Sequence, residues 1–292
     1  MVMLRGSLTA LVTPFKNGAV DEAAFTALIE RQIEAGTHGL VPAGTTGETP
    51  TLTLEERLRM VELCVEATAG RVPVVAGTGL YSTTGTIELQ QHAKRVGADA
   101  GLVVAPYYNK PSQDGIAAHF KAIADAVALP IVVYNVPGRT ITDIQPETLA
   151  RIAEHPNVVG VKDATGEVER VTMHRRLLGT GFAQLSGEDA SALGYNAHGG
   201  HGAISVTANV APALCAEFQN ACTNGDWDAA RDLNDRLTPL HEALFAAPSP
   251  GPSKYALSLL GLCEPDVRLP LIETPDSVKE RVRAAMEGCG LL

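Results

Sequence analysis

The 292-residue chain is poor in positive charge and in aromatic side chains, which make up only 4% of it. Lys and Arg total 23 against 33 Asp and Glu, so the net charge is −10 and no basic run offers the cationic surface that nucleic-acid backbones require. The longest uncharged run, residues 190–216, is interrupted by Asn, His and Thr. We therefore expect neither a nucleic acid nor a membrane as partner.

Cysteine is also sparse, and the spacing of the cysteines bears on disulfide bonds and on metal binding. The five cysteines include no Cys-x-x-Cys pair, which argues against a disulfide framework and against a zinc ribbon. His198 and His201 flank two glycines and have no evident third ligand, so we expect no metal and no cofactor. Residues 1–15 lack a secretory cleavage pattern and are expected to belong to the fold. These features predict a reducing, cytoplasmic location.

What the chain does contain is a regular alternation of strand-like and helix-like hydrophobic patterns, with a repeat of about thirty residues. Eight such alternations predict an α/β fold, a closed (β/α)8 TIM barrel with the active site at the carboxyl ends of its strands. The barrel is expected over residues 1–210, with a C-terminal helical appendage over residues 211–292 packed on it. The predicted strands are residues 8–12, 39–41, 72–76, 101–104, 131–134, 158–162, 184–186 and 203–206.

Lysine is the most informative residue because the chain has only seven. Six of them fall in helical patterns, beside a turn, or in loops flanked by proline, as Lys254 does, and these six are expected to be solvated. Lys162 instead ends a β-branched strand and is expected to project into the barrel mouth. Burial favours the neutral amine of a lysine, which can then attack a carbonyl and form a Schiff base. An ion pair of Lys162 with Asp163 or Glu188 is the alternative.

Other polar residues follow the predicted strands. Thr45 and Thr46 lie in a glycine-flanked turn able to hold a small carboxylate, although a helix N-cap role is equally available to one of them. Tyr134 lies on the strand next to that of Lys162 and is either a proton shuttle or a core residue. Arg139 is either a bidentate carboxylate ligand or a solvated loop residue.

Five motifs together resemble the pyruvate-dependent class I aldolases of the dihydrodipicolinate synthase and N-acetylneuraminate lyase superfamily. The resemblance covers essentially the whole chain, and each motif lies at a predicted strand end. The motifs are GTTGE at 44–48, PYYNKP at 106–111, YNVPGRT at 134–140, VKDATG at 161–166 and GGHGAIS at 199–205. Arg139 in its Tyr-Asn-x-Pro-x-Arg-Thr context and the Tyr107-Tyr108 pair are similar to the dihydrodipicolinate synthase branch.

The resemblance implies a lyase that condenses pyruvate with L-aspartate 4-semialdehyde through a Lys162 Schiff base. The product, 4-hydroxy-tetrahydrodipicolinate, serves lysine and diaminopimelate biosynthesis. The resemblance further implies a proton relay of Thr45, Tyr134 and Tyr108, and it implies that Tyr108 serves the site of a neighbouring subunit in a homotetramer, a dimer of dimers. The implied substrate-binding residues are Thr46 and the backbone near Ile204 for the pyruvate carboxylate, and Arg139 for the semialdehyde carboxylate. Gly187 is a further expected substrate-binding residue.

One departure from the family concerns regulation. Members inhibited by lysine commonly carry histidines, an asparagine and a glutamate around a dimer-interface pocket. At the corresponding positions this chain has Leu54, Arg57, Tyr81 and Gly85, although Tyr107 is kept. We therefore expect weak or absent feedback inhibition by lysine.

Two alternatives remain open from the sequence. A related aldolase acting on a 2-keto-3-deoxy sugar acid or on N-acetylneuraminate would share Lys162 and Tyr134 but not the role of Arg139. A catalytically inactive barrel used for binding would be expected to lose the lysine or the relay hydroxyls, and this chain keeps them.

Overall fold

The computed structural model describes residues 4–292, so the expectation for residues 1–15 lies partly outside the described residues. Ten strands are present in this range, and eight of them form one parallel sheet. The strands of that sheet are β1 (Gly6–Ala10), β4 (Gly39–Val41), β5 (Val75–Gly77), β6 (Ala100–Val104), β7 (Ile131–Asn135), β8 (Val158–Asp163), β9 (Ala183–Ser186) and β10 (Gly202–Ser205). The short hairpin of β2 (Phe15–Lys16) and β3 (Ala19–Val20) follows β1.

The eight parallel strands close into a barrel, as the sequence predicts. Their order is β4-β1-β10-β9-β8-β7-β6-β5, with strand β1 paired to both the second and the last strand of the sheet. Backbone hydrogen bonds from Leu40 N–H to Pro73 O and from Gly77 N–H to Pro42 O, each 2.9 Å long, connect β4 with β5 and close the ring. The carboxyl ends of all eight strands therefore meet at one face.

Helices follow most of the strands and cover the barrel. Several begin at side-chain caps, of which the reciprocal capping box between Thr53 and Glu56 is the most complete. The helices are α1 (Glu22–Glu34), α2 (Leu54–Thr68), α3 (Thr83–Val96), α4 (Gln113–Ala126), α5 (Pro137–Thr140), α6 (Pro146–Ala153), α7 (Arg170–Leu178), α8 (Ala192–Ala197), α9 (Pro212–Asn224), α10 (Trp227–Leu244), α11 (Gly251–Leu259) and α12 (Asp276–Gly288). Helices α9 to α12 follow the last strand and share one apolar core.

The barrel interior is filled by inward-facing side chains of the strands. This interior cluster includes Leu8, Val132, Tyr134, Leu185 and Ile204, all less than one-tenth exposed. A separate set of apolar contacts joins the outer faces of β6 and β7 to α4 and α6. Within residues 4–292, no helix has both the length and the apolar character that a membrane span requires.

The first strand is shifted at both ends, since it is predicted at residues 8–12 but found at Gly6–Ala10. The prediction followed the apolar run of residues 8–12. The observed bounds of β1 follow instead from its pairing with β10, which begins with Gly6 opposite Gly202. Val12 lies beyond the ladder, and its N–H donates to the Asn209 side chain at 3.1 Å. The largest boundary error is at the start of the third strand, which is predicted at residues 72–76 but found at Val75–Gly77, three residues later.

Candidate active site

Lys162 lies at the carboxyl end of β8 and is only 5% exposed. Its register partner on β7 is Tyr134, and the Lys162 Nζ atom lies 4.3 Å from the centroid of that ring. Within residues 4–292, no carboxylate oxygen lies within 4.0 Å of this amine and it donates no hydrogen bond. The alternative of an ion pair with Asp163 or Glu188 is therefore wrong. An amine without a fixed partner is able to attack a carbonyl group.

The carboxylate of Asp163 is held away from the lysine by its own neighbours. Adjacent residues of a strand point to opposite faces, so Asp163 faces the surrounding helices while Lys162 faces the barrel interior. The Asp163 Oδ1 atom accepts hydrogen bonds from the Thr165 hydroxyl at 2.6 Å and from the Thr165 N–H at 2.9 Å. Burial, with the nearby charges of Asp163 and Asp189, raises the pKa of Glu188.

Thr45 and Thr46 lie in a tight turn after β4, at the same barrel face. Their backbone N–H groups donate to no acceptor within the described part of the chain. Thr49 holds the turn by donating its hydroxyl to Ala43 O at 2.6 Å. A Cβ atom on Gly77 would lie 2.0 Å from Ala43 O, so only glycine permits this close approach of β5. The unpaired N–H groups enable the turn to bind an anion.

The alternative role of one turn threonine as a helix N-cap is not realised. Helix α2 begins after Thr53, whose side chain accepts from the Glu56 N–H. The turn instead ends at Glu48, which has a left-handed φ of 54°. Thr46 is buried and Thr45 is half-buried.

The predicted solvent exposure of Lys254 is the expectation that the structure contradicts most clearly. It was expected to be solvated, yet it lies in α11 and is fully buried. Its Nζ atom lies 2.6 Å from Glu48 Oε1, donates to Asp266 O at 2.6 Å and lies 3.9 Å from the centroid of the Phe15 ring. The flanking prolines start a helix here and do not mark a loop. Burial lowers the pKa of Lys254, and the Glu48 carboxylate opposes that effect.

Arg139 lies in the short helix α5 directly after β7, with its side chain exposed. Among residues 4–292 its guanidinium has no ion-pair or hydrogen-bond partner. The segment that carries it is fixed by neighbours instead, because Asn135 donates to Asp143 at 2.8 Å and Arg170 donates to both carboxylate oxygens of Asp143. Arg139 is thus an unpaired cation on a well-held segment at the barrel face.

Tyr107 and Tyr108 follow β6 and differ in exposure. The Tyr107 ring stacks edge-on against Tyr81, with a centroid distance of 5.4 Å, and burial raises the pKa of Tyr107. Tyr108 is 97% exposed and has a positive φ of 68°. The single chain therefore does not bring Tyr108 into contact with the Lys162 site.

The ends of β9 and β10 complete the face. Gly187 follows β9 and donates its N–H to Asp163 O at 2.6 Å, and a Cβ there would lie 2.6 Å from the Ala164 Cβ. Ile204 is buried near the end of β10. Asp189, which sequence reasoning did not single out, accepts from the backbone N–H groups of residues 206 and 207 at 2.9 and 3.1 Å. Its carboxylate therefore fixes the segment that follows Ile204.

Two further residues of the site region were not predicted from the sequence. They are Glu48, the partner of Lys254, and Asp143, the partner of Arg170. A signal existed for Glu48, since it is the one charged residue of the GTTGE motif. No such signal existed for Asp143, whose partner lies 27 positions away on another strand-helix unit. In the part of the chain that the structure describes, no cluster of three His, Cys, Asp or Glu residues is placed to hold a metal ion.

The fold and the site define a (β/α)8-barrel enzyme whose candidate site residues lie at the carboxyl ends of the strands. Residues 3–288 match the dihydrodipicolinate synthetase family. The 4-hydroxy-tetrahydrodipicolinate synthase of Parvibaculum lavamentivorans is 61% identical over 290 residues, which cover 99% of this chain and 100% of that protein. The chain therefore belongs to the dihydrodipicolinate synthetase family, and it is an enzyme of the lyase class.

Solved structures agree with this assignment. A chloride-inhibited dihydrodipicolinate synthase from Acinetobacter baumannii, complexed with pyruvate, has a TM-score of 0.96 at 43% identity and covers 99% of both chains. The corresponding enzyme from Cyanidioschyzon merolae, with lysine bound, has a TM-score of 0.95 at 39% identity, again over 99% of both chains. The family resemblance and the barrel fold expected from the sequence are thus confirmed.

Proposed function

We propose that this enzyme condenses pyruvate with L-aspartate 4-semialdehyde to give 4-hydroxy-tetrahydrodipicolinate, and that Lys162 is its Schiff-base residue. The observation that carries the proposal is the unpaired, buried amine of Lys162 beside the Tyr134 ring at a strand end. The names of the close relatives support the choice of reaction. The reaction belongs to lysine and diaminopimelate biosynthesis, and the five free thiols fit the reducing cytoplasm expected for it.

The chemistry begins with attack of the Lys162 Nζ atom on the C2 carbonyl of pyruvate. Loss of water gives an imine, and loss of a proton from C3 gives an enamine. The enamine carbon then forms a bond to the aldehyde carbon of the semialdehyde, whose oxygen takes up a proton. Finally the substrate amine attacks C2, closes the ring and expels the Lys162 amine, which returns to its starting state.

Proton transfers in these steps need a group that both donates and accepts. We assign this role to the phenol of Tyr134, which is 6% exposed and adjacent to the amine. Thr45 and Tyr108 extend the relay. Tyr108 is almost fully exposed in the single chain, which supports a role in the site of a neighbouring subunit, and we propose that the subunits form a homotetramer.

The two substrate carboxylates are assigned to two positive regions. The unpaired N–H groups of the turn, together with the Thr46 hydroxyl, receive the pyruvate carboxylate. Gly187 and the backbone near Ile204 complete that subsite. The unpaired guanidinium of Arg139 binds the semialdehyde carboxylate, since arginine pairs with carboxylates through two parallel hydrogen bonds.

We further propose that lysine inhibits this enzyme weakly or not at all. The relevant positions carry an exposed Leu54, a buried Arg57 that donates to Gly77 O, and a half-exposed Tyr81. None of these supplies a carboxylate for a lysine ammonium, and the Arg57 guanidinium repels it. Initial rates with millimolar L-lysine test this point, and strong inhibition would show the proposal to be wrong.

A coupled assay with pyruvate and L-aspartate 4-semialdehyde tests the reaction itself. The proposal predicts turnover of this pair and little or no cleavage of a 2-keto-3-deoxy sugar acid or of N-acetylneuraminate. The matched variant is Arg139→Gln, for which we expect the KM of the semialdehyde to rise about 10-fold or more as one charged hydrogen-bonding partner is lost. Preference for a sugar acid would identify a related aldolase instead, and turnover of neither would favour an inactive barrel.

A further inference from the structure

The side chain of Glu48 connects the turn of Thr45 and Thr46 to helix α11 and to the segment that follows this helix. The carboxylate of Glu48 accepts from Lys254 Nζ at 2.6 Å through Oε1 and from the Arg268 N–H at 3.0 Å through Oε2. Both donors lie more than two hundred positions after Glu48 in the sequence. Glu48, the last residue of the turn, is thus held by residues from the C-terminal part of the chain, outside its own strand-helix unit.

The surroundings of this ion pair are built to hold it in one place. Both cations contact the ring of Phe15, with Lys254 Nζ 3.9 Å and Arg268 Cζ 4.3 Å from its ring centroid. The Arg268 guanidinium donates to both Glu56 carboxylate oxygens at 2.6 Å. The turn, the first helix after it and the segment around residue 268 are therefore fixed relative to one another.

Stability alone is a poor reason for such a pair. Removing two charges from water costs several kcal/mol per ion, and well-packed hydrophobic residues often stabilise a fold as much. The side chains of Lys254 and Glu48 are 0% and 1% exposed, so this penalty applies in full. What an ion pair offers instead is a defined distance and direction between the groups that it joins.

That direction matters because Glu48 belongs to the turn itself. Its N–H donates to Thr45 O and the preceding N–H, of Gly47, donates to Gly44 O, each at 3.1 Å. A shift of the Glu48 side chain would therefore be transmitted through these two hydrogen bonds to the N–H groups that we assign to the pyruvate carboxylate.

We propose that Glu48 and Lys254 are positioning residues, through which the C-terminal helices hold the Thr45–Thr46 turn in the geometry that binds pyruvate. The proposal rests on the function proposed above. It gives the C-terminal helices a part in substrate binding, although none of their side chains needs to touch the substrate. It also separates the two substrates, because Arg139 lies after β7 and its segment is fixed independently by Asp143 and Arg170.

Steady-state kinetics of Glu48→Gln and Lys254→Met test the proposal. We expect the KM of pyruvate to rise about tenfold or more, because small misplacements of a binding group are costly, while the KM of the semialdehyde changes less than about twofold. Lys279→Met is the matched control, since it removes a lysine ion pair from the C-terminal helices at Glu273 without a link to the turn. It should leave both KM values unchanged.

Hydrogen exchange supplies a readout that does not depend on activity. The amides of Gly47 and Glu48 are expected to exchange faster in Lys254→Met than in wild type or Lys279→Met. Because Lys254→Met removes a buried charge, Glu48→Gln provides a second, milder variant that keeps an acceptor for the Arg268 N–H. A loss of kcat with both KM values unchanged, together with unchanged exchange at the turn, would overturn the positioning role.

The two proposals fail in distinguishable ways. If wild type forms no adduct with pyruvate at Lys162, the proposed function is wrong. If wild type forms that adduct and the variants bind pyruvate as tightly as wild type does, the proposed function stands and the positioning role is wrong.

Discussion

Lys162 and Lys254 are both buried, yet their partners differ completely. Lys254 has a carboxylate at 2.6 Å, a carbonyl oxygen at 2.6 Å and an aromatic ring beneath it. Lys162 has the Tyr134 ring at 4.3 Å and, within residues 4–292, no ion-pair partner at all. Burial is common to the two lysines, so burial does not decide what a lysine does. We infer that the fixed anion gives one of them a positioning role within the fold, and we propose that its absence leaves the other free to react.

The largest effect that separates the two lysines is expected for Lys162→Met. We predict a fall in kcat of about 10⁴-fold or more, as for the loss of other covalent nucleophiles. The free energy of unfolding should stay within about 1 kcal/mol of wild type or increase, because a buried unpaired amine is replaced by an apolar side chain. Activity within tenfold of wild type would remove the distinction between Lys162 and Lys254.

For Lys254→Met, the larger effect is expected on the free energy of unfolding and the smaller one on kcat. This change leaves the Glu48 carboxylate buried without its counter-charge, so the free energy of unfolding should fall by about 3–5 kcal/mol. Combining it with Glu48→Gln should recover most of that loss, because no unpaired charge then remains. Urea unfolding of the single and double variants measures the coupling. Equal stability of Lys254→Met and wild type would mean that the pair is not buried as described.

A smaller effect is expected at the edge of the same network, at Glu56. Its hydrogen bonds to Arg268 lower the pKa of this carboxyl from 4.5 to about 2. A lowered folded-state pKa stabilises the fold above the unfolded value and loses that contribution as the pH falls from 4.5 towards 2. After allowance for solvent screening, Glu56→Gln should cost about 1 kcal/mol or less at neutral pH.

The pH dependence distinguishes this electrostatic effect from a packing defect. Glutamine keeps the capping box at Thr53, so the helix start is preserved in the variant. The difference in unfolding free energy between wild type and Glu56→Gln should therefore shrink below pH 4.5. A difference that is constant with pH would assign the effect to packing.

Much of the fold could be predicted because its pattern is local. All eight strands of the barrel overlap predicted β-branched or apolar runs, and the strand that carries Lys162 was placed within one residue of its observed end. The boundaries of the first strand could not be predicted, since they depend on pairing with β10 almost two hundred residues away. The division into residues 1–210 and 211–292 stays a prediction.

The environment of the candidate site was less predictable than its location. Thr45, Tyr134, Arg139 and Lys162 were found from strand ends, because in a barrel those ends converge. Glu48, the partner of Lys254, lies 206 positions away in the sequence, and the proline-flanked segment around Lys254 does not indicate that contact. The burial of a charged residue is a property of the assembled fold, so sequence position alone misassigned Lys254.

Reduction with borohydride in the presence of pyruvate, followed by peptide mapping, tests the central claim most directly. It compares the two buried lysines in one sample of unmodified enzyme, with Lys162→Met as the negative control. The account predicts that the reductively attached pyruvate is found on the peptide that contains Lys162, and that Lys254 remains unmodified. Attachment at Lys254, or no attachment at Lys162, would contradict the claim that an unpaired amine at the barrel mouth is the reactive group.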